Sequence, residues 1–266
     1  MKKIYNKFDK LLIPKLPQVL FEGRIETIIS ETEAEKAVDY LLSQDIIGFD
    51  TETKPIFKSG QHNEVALLQV SSKDVCFLFR LNHIGMPACI IRLLTDRSNI
   101  KVGLSWHDDI RMLKRRADFE PADFIELQEM VREYGILDMS LQKLYANIFG
   151  QKISKSQRLS NWEADILTEP QKQYAATDAW ACVMLYQELL RLKEEGFELE
   201  VVPEPEPMAP KEEAPEASKK EKKSKPRSKN AKGVRKSKGY TYHRKSKKKN
   251  TENTEIIPNE LACYTS

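Results

Sequence analysis

The spacing of apolar residues predicts strands in four short segments of this chain. In DIIGFDTET, residues 45–53, side chains alternate between two faces, with Asp50 and Glu52 on one of them. Two further apolar runs are separated only by Lys73 and Asp74, which favours an antiparallel hairpin. These runs are EVALLQVSS (64–72) and VCFLFRL (75–81), and the fourth segment is IKVGL (100–104).

Helical spacing dominates the rest of the first 200 residues. The segment ETEAEKAVDYLLSQ predicts a helix over 31–44, with Thr32 and Glu35 spaced for a capping box. Residues 123–138 are ambiguous, and residues 1–30 read as extended or irregular. Strands mixed with helices, followed by helices alone, indicate an α/β domain with a mixed sheet. The other predicted helices are 87–94, one beginning at HDDIRMLKRR (107–116), SLQKLYANIF (140–149) and the strongly periodic 169–195.

Composition divides the chain near residue 200. The formal net charge of +3 combines a mildly acidic first part with a strongly basic remainder. Residues 198–218 have the Pro- and Glu-rich composition of a linker. The segment Lys219–Lys249 holds sixteen basic residues against one acidic residue, Glu221, and has too few apolar side chains to form a core. We therefore expect 219–266 to be a disordered basic tail.

The cysteines and the hydropathy of the chain bear on the cellular compartment in which the protein is expected. The four cysteines show no C-x-x-C spacing, which disfavours a disulfide framework or a zinc site and fits a reducing cytosol. The N-terminus resembles a signal peptide only faintly, because charges and two prolines interrupt its apolar run. With no membrane span expected, the prediction is a bacterial-type cytoplasmic protein. A nuclear location, suggested by the lysine cluster, ranks second.

Three acidic sites interrupt segments that otherwise have the pattern of a core. Asp50 and Glu52 share one strand face, although a solvated strand end is an equally good explanation of that pair alone. Tyr174 and Asp178 stack on the apolar stripe of the last helix, unless the stripe is rotated and Asp178 faces outward. Asp109 begins a helix, where simple N-terminal capping is the alternative.

Together these charges indicate a bound divalent cation. Carboxylates placed on buried faces are costly unless something pairs with them. Oxygen ligands without His or Cys favour Mg²⁺ or Mn²⁺ over zinc.

At these residues the sequence resembles the DEDDy family of 3′–5′ exonucleases, in its ribonuclease D and Werner-syndrome exonuclease branch. The resemblance covers roughly residues 25–195 and rests on several blocks at once. The blocks are FDTET, VALLQVSS, KVGLSWHDDIRML and LSNWEADILTEPQKQYAATDAW. Tyr174 stands where the sister DEDDh subfamily has histidine. The chain departs from the family in having a lysine-rich tail where ribonuclease D proteins often carry helical domains.

The resemblance implies a ribonuclease H-like mixed β-sheet flanked by helices, and two Mg²⁺ or Mn²⁺ ions. Asp50 would bridge both ions, Glu52 and Asp178 would complete the coordination of the first ion, and Asp109 would hold the second ion, partly through water. Tyr174 would orient the attacking water, and nucleoside 5′-monophosphates would leave from the 3′ end of DNA or RNA. The implied exonuclease domain spans 25–197, after an N-terminal extension of residues 1–24.

Substrate contacts are less sharply indicated. Lys155 and Arg158 precede the LSNWE block and are candidate phosphate contacts, with solvated loop charges as an equal alternative. Trp162 is a candidate nucleic-acid contact, but a core position is favoured. The basic tail suits sequence-independent phosphate binding. The sequence leaves open DNA or RNA, the oligomeric state, and an alternative function as a catalytically silent nucleic-acid-binding module that has kept the nuclease fold.

Overall fold

The computed structural model describes residues 1–56 and 63–203, and within them a mixed six-stranded sheet organises the fold. Two shorter strands pair separately. In chain order the strands are β1 (Lys2–Tyr5), β2 (Arg24–Ile28), β3 (Ile46–Thr53), β4 (Val65–Ser71), β5 (Val75–Phe79), β6 (Ile100–Gly103), β7 (Phe124–Glu126) and β8 (Phe197–Glu200).

Seven α-helices flank the sheet in the described part of the chain. They are α1 (Glu31–Leu42), α2 (Leu81–Ile84), α3 (Ala88–Thr95), α4 (Trp106–Leu113), α5 (Leu127–Glu133), α6 (Leu141–Phe149) and α7 (Glu169–Glu195), with one 3₁₀ turn at Ile13–Lys15. None of the helices in the described ranges combines the length and apolarity needed to cross a bilayer.

The strand order of the large sheet is β2-β5-β4-β3-β6-β7. β4 runs antiparallel to both β3 and β5, while β3, β6 and β7 are mutually parallel, as are β2 and β5. The hairpin predicted around Lys73 and Asp74 is therefore present, and the mixed ribonuclease H-like sheet flanked by helices is confirmed.

Helices cover both faces of this sheet. On one face, α1, α3 and α4 pack on Ile47, Phe49 and Val70. On the other face, α7 crosses β3, β4 and β5 and packs with Leu67 and Leu78. Alternate residues of a strand point to opposite faces, so β3 contributes Phe49 and Thr51 to one layer and Asp50 and Glu52 to the other.

Both ends of the described chain join the folded body. β1 pairs in parallel with β8, and Ile4 is completely buried. Residues 1–24, predicted as an extension, thus contribute a strand, and the predicted boundary at 197 falls at the start of β8. The remainder of the 198–218 linker from residue 204, and the whole 219–266 tail, lie outside the described residues.

The predicted cap of α1 was wrong by two residues. Ser30 and Glu33 form the capping box, in which the Ser30 side chain accepts from the Glu33 amide and Glu33 accepts from the Ser30 amide. Thr32 and Glu35 have the same spacing but lie inside the helix, because Ser30 is the last extended residue and the helix begins at Glu31. The ambiguous segment 123–138 contains β7 and α5.

Candidate active site

Two of the candidate carboxylates stand near the end of β3. Asp50 and Glu52 are half-buried on the sheet face covered by α7. In the antiparallel register Asp50 lies opposite Gln69 and Glu52 opposite Leu67 on β4. The strand therefore aims both carboxylates at the same helix.

That helix is fixed at its start by a capping box. The Thr168 side chain accepts from the backbone amide of Gln171, and the Gln171 side-chain oxygen accepts from the backbone amide of Thr168. Gln171 also donates to Ser160 and to the Asn161 carbonyl, which ties the preceding loop to the helix. One turn and two turns further on, Tyr174 and Asp178 are only 9% and 8% exposed. Asp178 therefore faces inward, not outward.

A close backbone contact sets the distance between α7 and β3. A Cβ atom built on Gly48 would lie 1.9 Å from the Ala179 carbonyl oxygen. No side chain larger than hydrogen fits there without moving the helix. Glycine at this position lets α7 lie directly on the strand, so that Asp178 reaches the carboxylates of β3.

The result is a cluster of three carboxylates. Asp50, Glu52 and Asp178 each offer an oxygen, and these oxygens all lie within 4.8 Å of one another. Segments more than 120 residues apart in the sequence thus meet at one point.

Asp109 arrives from the opposite face of the sheet. It lies in the first turn of α4, and the Thr51 hydroxyl donates a hydrogen bond to its carboxylate. Thr51 points away from Asp50 along the strand, so Asp109 is held beside the three-carboxylate cluster and is not one of its members. The structure brings together all four predicted acids. Asp50, Glu52 and Asp178 meet on the face covered by α7, and Asp109 comes from α4 on the opposite face.

The turn before α4 depends on the buried carboxylate of Glu126. Ser105 has φ 62°, a left-handed conformation that is unfavourable for a residue with a side chain. Glu126 accepts from the Ser105 amide at 2.8 Å and from the Trp106 amide at 3.1 Å. It also accepts from the Gln128 amide at 3.0 Å at the start of α5. These bonds stabilise the turn from which Asp109 projects.

Burial raises the pKa of every carboxyl in the site, and repulsion between the carboxylates raises it further for Asp50, Glu52 and Asp109. For Asp50 the cause is burial, followed by the charge of Asp178. For Glu52 it is burial, followed by the charges of Asp50, Asp178 and Asp109. The Asp109 pKa is raised by burial and by Asp50, and that of Asp178 by burial. A site in which ionised carboxylates repel one another attracts cations.

Tyr174 lies one helical turn before Asp178. Its hydroxyl is close enough to the Asp178 carboxylate to lower the pKa of that carboxyl. Burial, followed by the charges of Asp178 and Glu52, raises the pKa of the phenol itself. Tyr174 is therefore a neutral hydrogen-bonding group at the edge of the acidic cluster.

The three candidate substrate contacts separate into two groups. Lys155 and Arg158 are exposed, and their charges lower the pKa values of Asp178 and Glu52 respectively, which places both near the carboxylates. Trp162 is completely buried, with its ring centroid 6.0 Å from that of Tyr174. A ring enclosed in the core cannot stack on a nucleotide, so Trp162 belongs to the packing beneath the site.

Three supporting residues were not identified from the sequence. Thr51 and Glu126 hold Asp109, and Gln69 lies opposite Asp50 with neither polar atom of its amide hydrogen-bonded to any described residue. The available signals were weak. Thr51 lies between two ligand candidates, Gln69 is a polar residue in the middle of an apolar run, and Glu126 ends a very short strand.

The donor set fits a hard divalent cation. Three convergent carboxylates and a fourth alongside supply only oxygen atoms, which Mg²⁺ and Mn²⁺ prefer. The raised carboxyl pKa values show that positive charge would stabilise the ionised site. The arrangement is compatible with metal binding.

Comparison with known proteins gives a consistent picture. Residues 25–193 match the family model described as 3′-5′ exonuclease. Over 151 residues the chain is 36% identical to the bifunctional 3′-5′ exonuclease/ATP-dependent helicase WRN of Mus musculus, an alignment that covers 54% of this chain. The match spans only 11% of the length of that relative.

Solved structures share the fold at lower sequence identity. The Aedes aegypti Nibbler EXO domain superposes with a TM-score of 0.61 at 22% identity, covering 68% of this chain and 94% of that one. The Trypanosoma brucei RNase D complex with RNA U12 superposes with a TM-score of 0.56 at 19% identity, covering 64% and 63%. Both likenesses concern the arrangement of sheet and helices.

Proposed function

The chain belongs to the DEDDy-type 3′–5′ exonuclease family, enzymes that hydrolyse phosphodiester bonds, and we propose that it removes nucleoside 5′-monophosphates from the 3′ end of DNA or RNA. One observation carries the proposal. Carboxylate oxygens of Asp50, Glu52 and Asp178 lie within 4.8 Å of one another, with Asp109 alongside. The RNA bound by the Trypanosoma brucei relative supports a nucleic-acid substrate.

In this proposal Asp50, Glu52, Asp109 and Asp178 hold two divalent cations, Mg²⁺ or Mn²⁺. When bound, such cations make water a stronger nucleophile and offset negative charge on the attacking and leaving oxygens. The carboxylates alone would repel an anionic phosphodiester, so activity depends on the cation.

The remaining roles follow from the surroundings of the cluster. The Tyr174 hydroxyl, neutral because its pKa is raised, orients the attacking water beside Asp178. Lys155 and Arg158 attract the phosphates of the substrate toward the carboxylates from the exposed side. The buried face behind Asp50 and Gln69 excludes bulk water.

A gel assay tests the proposal. Single-stranded DNA and RNA of matched sequence, labelled at the 5′ end, are incubated with Mg²⁺, Mn²⁺ or EDTA. We expect a ladder that shortens from the 3′ end, requires the cation and disappears in Asp50→Asn, with a loss of at least about 10³-fold, because removing one ligand disables the whole site. Chromatography of the products identifies the monophosphates.

Asp108→Asn is the matched control. Asp108 neighbours Asp109 but is exposed and pairs with Arg111 at 2.9 Å, so its loss should leave the ladder unchanged. A ladder that persists at full strength in Asp50→Asn contradicts the site assignment. The absence of any ladder, with binding of the oligonucleotides retained, supports the catalytically silent binding module instead.

A further inference from the structure

Two adjoining hollows near the N-terminus are lined by five lysines, of which the proposed function uses only Lys155. The larger, about 550 Å³, includes Lys7, Lys10 and Lys143. The smaller, about 270 Å³, shares Lys10 and Lys143 and extends to Lys152 and Lys155. We call them together the lysine cleft, defined by these five lysines.

The lysine cleft leads away from the acidic cluster. Lys155 lies in the loop before α7, which Gln171 ties to the start of the helix that carries Asp178. The smaller hollow is lined by Lys155, Lys152 and Lys10, and the larger hollow, which shares Lys10, is lined by Lys7. A strand whose 3′ end lies at the carboxylates can therefore follow these lysines along its 5′ side.

Much of this charge is available for binding. Lys7, Lys10 and Lys155 have no ion-pair partner within 4.0 Å among the residues described, whereas Lys143 pairs with Asp138 at 2.7 Å. The larger hollow has one acid in its lining, Asp9. Since the first 200 residues are acidic as a whole, a lysine-lined cleft is not explained by average composition.

Aromatic rings line the far end of the cleft. Tyr5 and Phe8 are half-buried and meet edge to face, with ring centroids 6.0 Å apart. Their backbone is fixed, because Asn147 bonds both the amide and the carbonyl of Tyr5, and Asp138 accepts from the Phe8 amide at 2.6 Å. Rings held in place beside lysines are the arrangement on which unpaired bases stack.

We propose that the lysine cleft binds the single-stranded part of the substrate on the 5′ side of the nucleotide being removed. Lys7 and Lys10 contact backbone phosphates, and Phe8 stacks on a base. The inference rests on the proposed function, because it assigns the direction of the strand from the position of the acidic cluster.

The test uses the full chain with Lys7→Gln/Lys10→Gln and measures binding of a labelled 20-nucleotide single strand by anisotropy in EDTA. Each lost phosphate contact reduces the slope of log affinity against log salt by about 0.7, so we expect a reduction of about 1.4 and roughly tenfold weaker binding at 0.15 M salt. Hydrolysis of a dinucleotide, too short to extend from the carboxylates to Lys7 and Lys10, should be unchanged.

Lys36→Gln/Lys73→Gln is the matched control, since both lysines are exposed and lie in other surface hollows. It removes the same charge and should leave the salt slope close to that of the unaltered chain. A slope equal to the control in Lys7→Gln/Lys10→Gln overturns the proposal.

Phe8→Leu separates stacking from charge. It keeps an apolar side chain but removes the ring, so we expect at least about fivefold weaker binding with no change in salt slope. Unchanged binding overturns the stacking role. If the unaltered chain gives no ladder in the gel assay, the proposed function fails, and the anisotropy measurements still decide whether the cleft binds the strand.

Discussion

The two helices that bring carboxylates to β3 from opposite faces of the sheet are held in different ways. α7 has 27 residues, a capping box and direct backbone contact with Gly48. α4 has eight residues and follows a left-handed turn that depends on Glu126. Asp178 is therefore positioned by extensive packing, whereas Asp109 is positioned by a few hydrogen bonds. Changes on the α7 side should therefore lower both stability and activity more than changes on the α4 side.

Gly48→Ala should displace α7 and should cause the largest loss of stability and activity among the variants considered below that keep all four carboxylates of the site. The added Cβ would meet the Ala179 carbonyl at 1.9 Å, so the helix must shift. Overpacking of this kind costs about 1–3 kcal/mol of unfolding free energy. A shift near 1 Å at the reacting groups lowers the rate by about 100-fold. Thermal unfolding and the rate of oligonucleotide hydrolysis measure the two losses.

Gly103→Ala provides a graded comparison for that variant. A Cβ there would approach nothing closer than 3.1 Å, so small adjustments accommodate it. We expect a smaller loss of stability than for Gly48→Ala. Equal stability of Gly48→Ala and the unaltered chain would contradict the idea that this contact sets the position of α7.

The pH dependence of stability tests the carboxylates that α7 and α4 bring to β3. Because the folded carboxyl pKa values are raised, the folded state binds more protons than the unfolded state between about pH 4 and 8. Stability in EDTA should therefore fall as pH rises through this window, by at least about 2 kcal/mol, because one pKa unit of one group corresponds to about 1.4 kcal/mol before screening by solvent reduces it. Denaturant unfolding at pH 5 to 9 measures the fall, and Mg²⁺ should reduce it.

The same titration compares Asp178→Asn with Asp109→Asn. Both charges raise the pKa of Glu52, and both carboxyls have raised pKa values of their own. Each variant should therefore flatten the pH dependence, because it removes one raised pKa and part of the repulsion on Glu52. A pH dependence as steep in either variant as in the unaltered chain would show that the deleted carboxyl does not titrate with the site.

Sequence patterns predicted the α7 side better than the α4 side for a physical reason. The position of Asp178 follows from a period of 3.6 residues repeated over a long helix, and β3 follows from alternation. On the α4 side, the position of Asp109 depends on the left-handed turn at Ser105 and on two hydrogen bonds between distant residues. Glu126 bonds Ser105, 21 residues away, and Thr51 bonds Asp109, 58 residues away. No local pattern encodes them.

The same distinction applies to the fold. β4, β5 and β6 are largely buried and were identified from their apolar runs, and β3 was identified from its alternation. β1 and β8 have four residues each, mix charged with apolar side chains, and pair across nearly the whole described chain. β2, an edge strand, exposes most of its residues at least in part. Short strands of this kind become recognisable only when their partners are known.

Glu126→Gln should destabilise the turn that positions Asp109, with a smaller effect on stability and activity than Gly48→Ala. The amide group retains one acceptor but places an NH₂ against one of the three backbone amides that the carboxylate now satisfies. We expect about tenfold lower activity, a raised requirement for divalent cation, and a stability loss of about 1–2 kcal/mol. Cation titration of the hydrolysis rate provides the measurement. An unchanged cation requirement would show that the turn holds Asp109 without this carboxylate.

Thr51→Val should have the smallest effect and tests the last contact to Asp109. Valine keeps the shape of threonine but cannot donate to the carboxylate, so Asp109 loses its hydrogen bond while the packing is retained. A hydrogen bond worth about 1 kcal/mol corresponds to roughly a fivefold rise in the cation concentration for half-maximal activity. Thr51→Ser keeps the hydroxyl and should stay close to the unaltered chain. If Thr51→Val instead reaches half-maximal activity at a lower cation concentration, the hydroxyl of Thr51 competes with the cation for the Asp109 carboxylate. The hydrogen bond would then hold this carboxylate away from the cation.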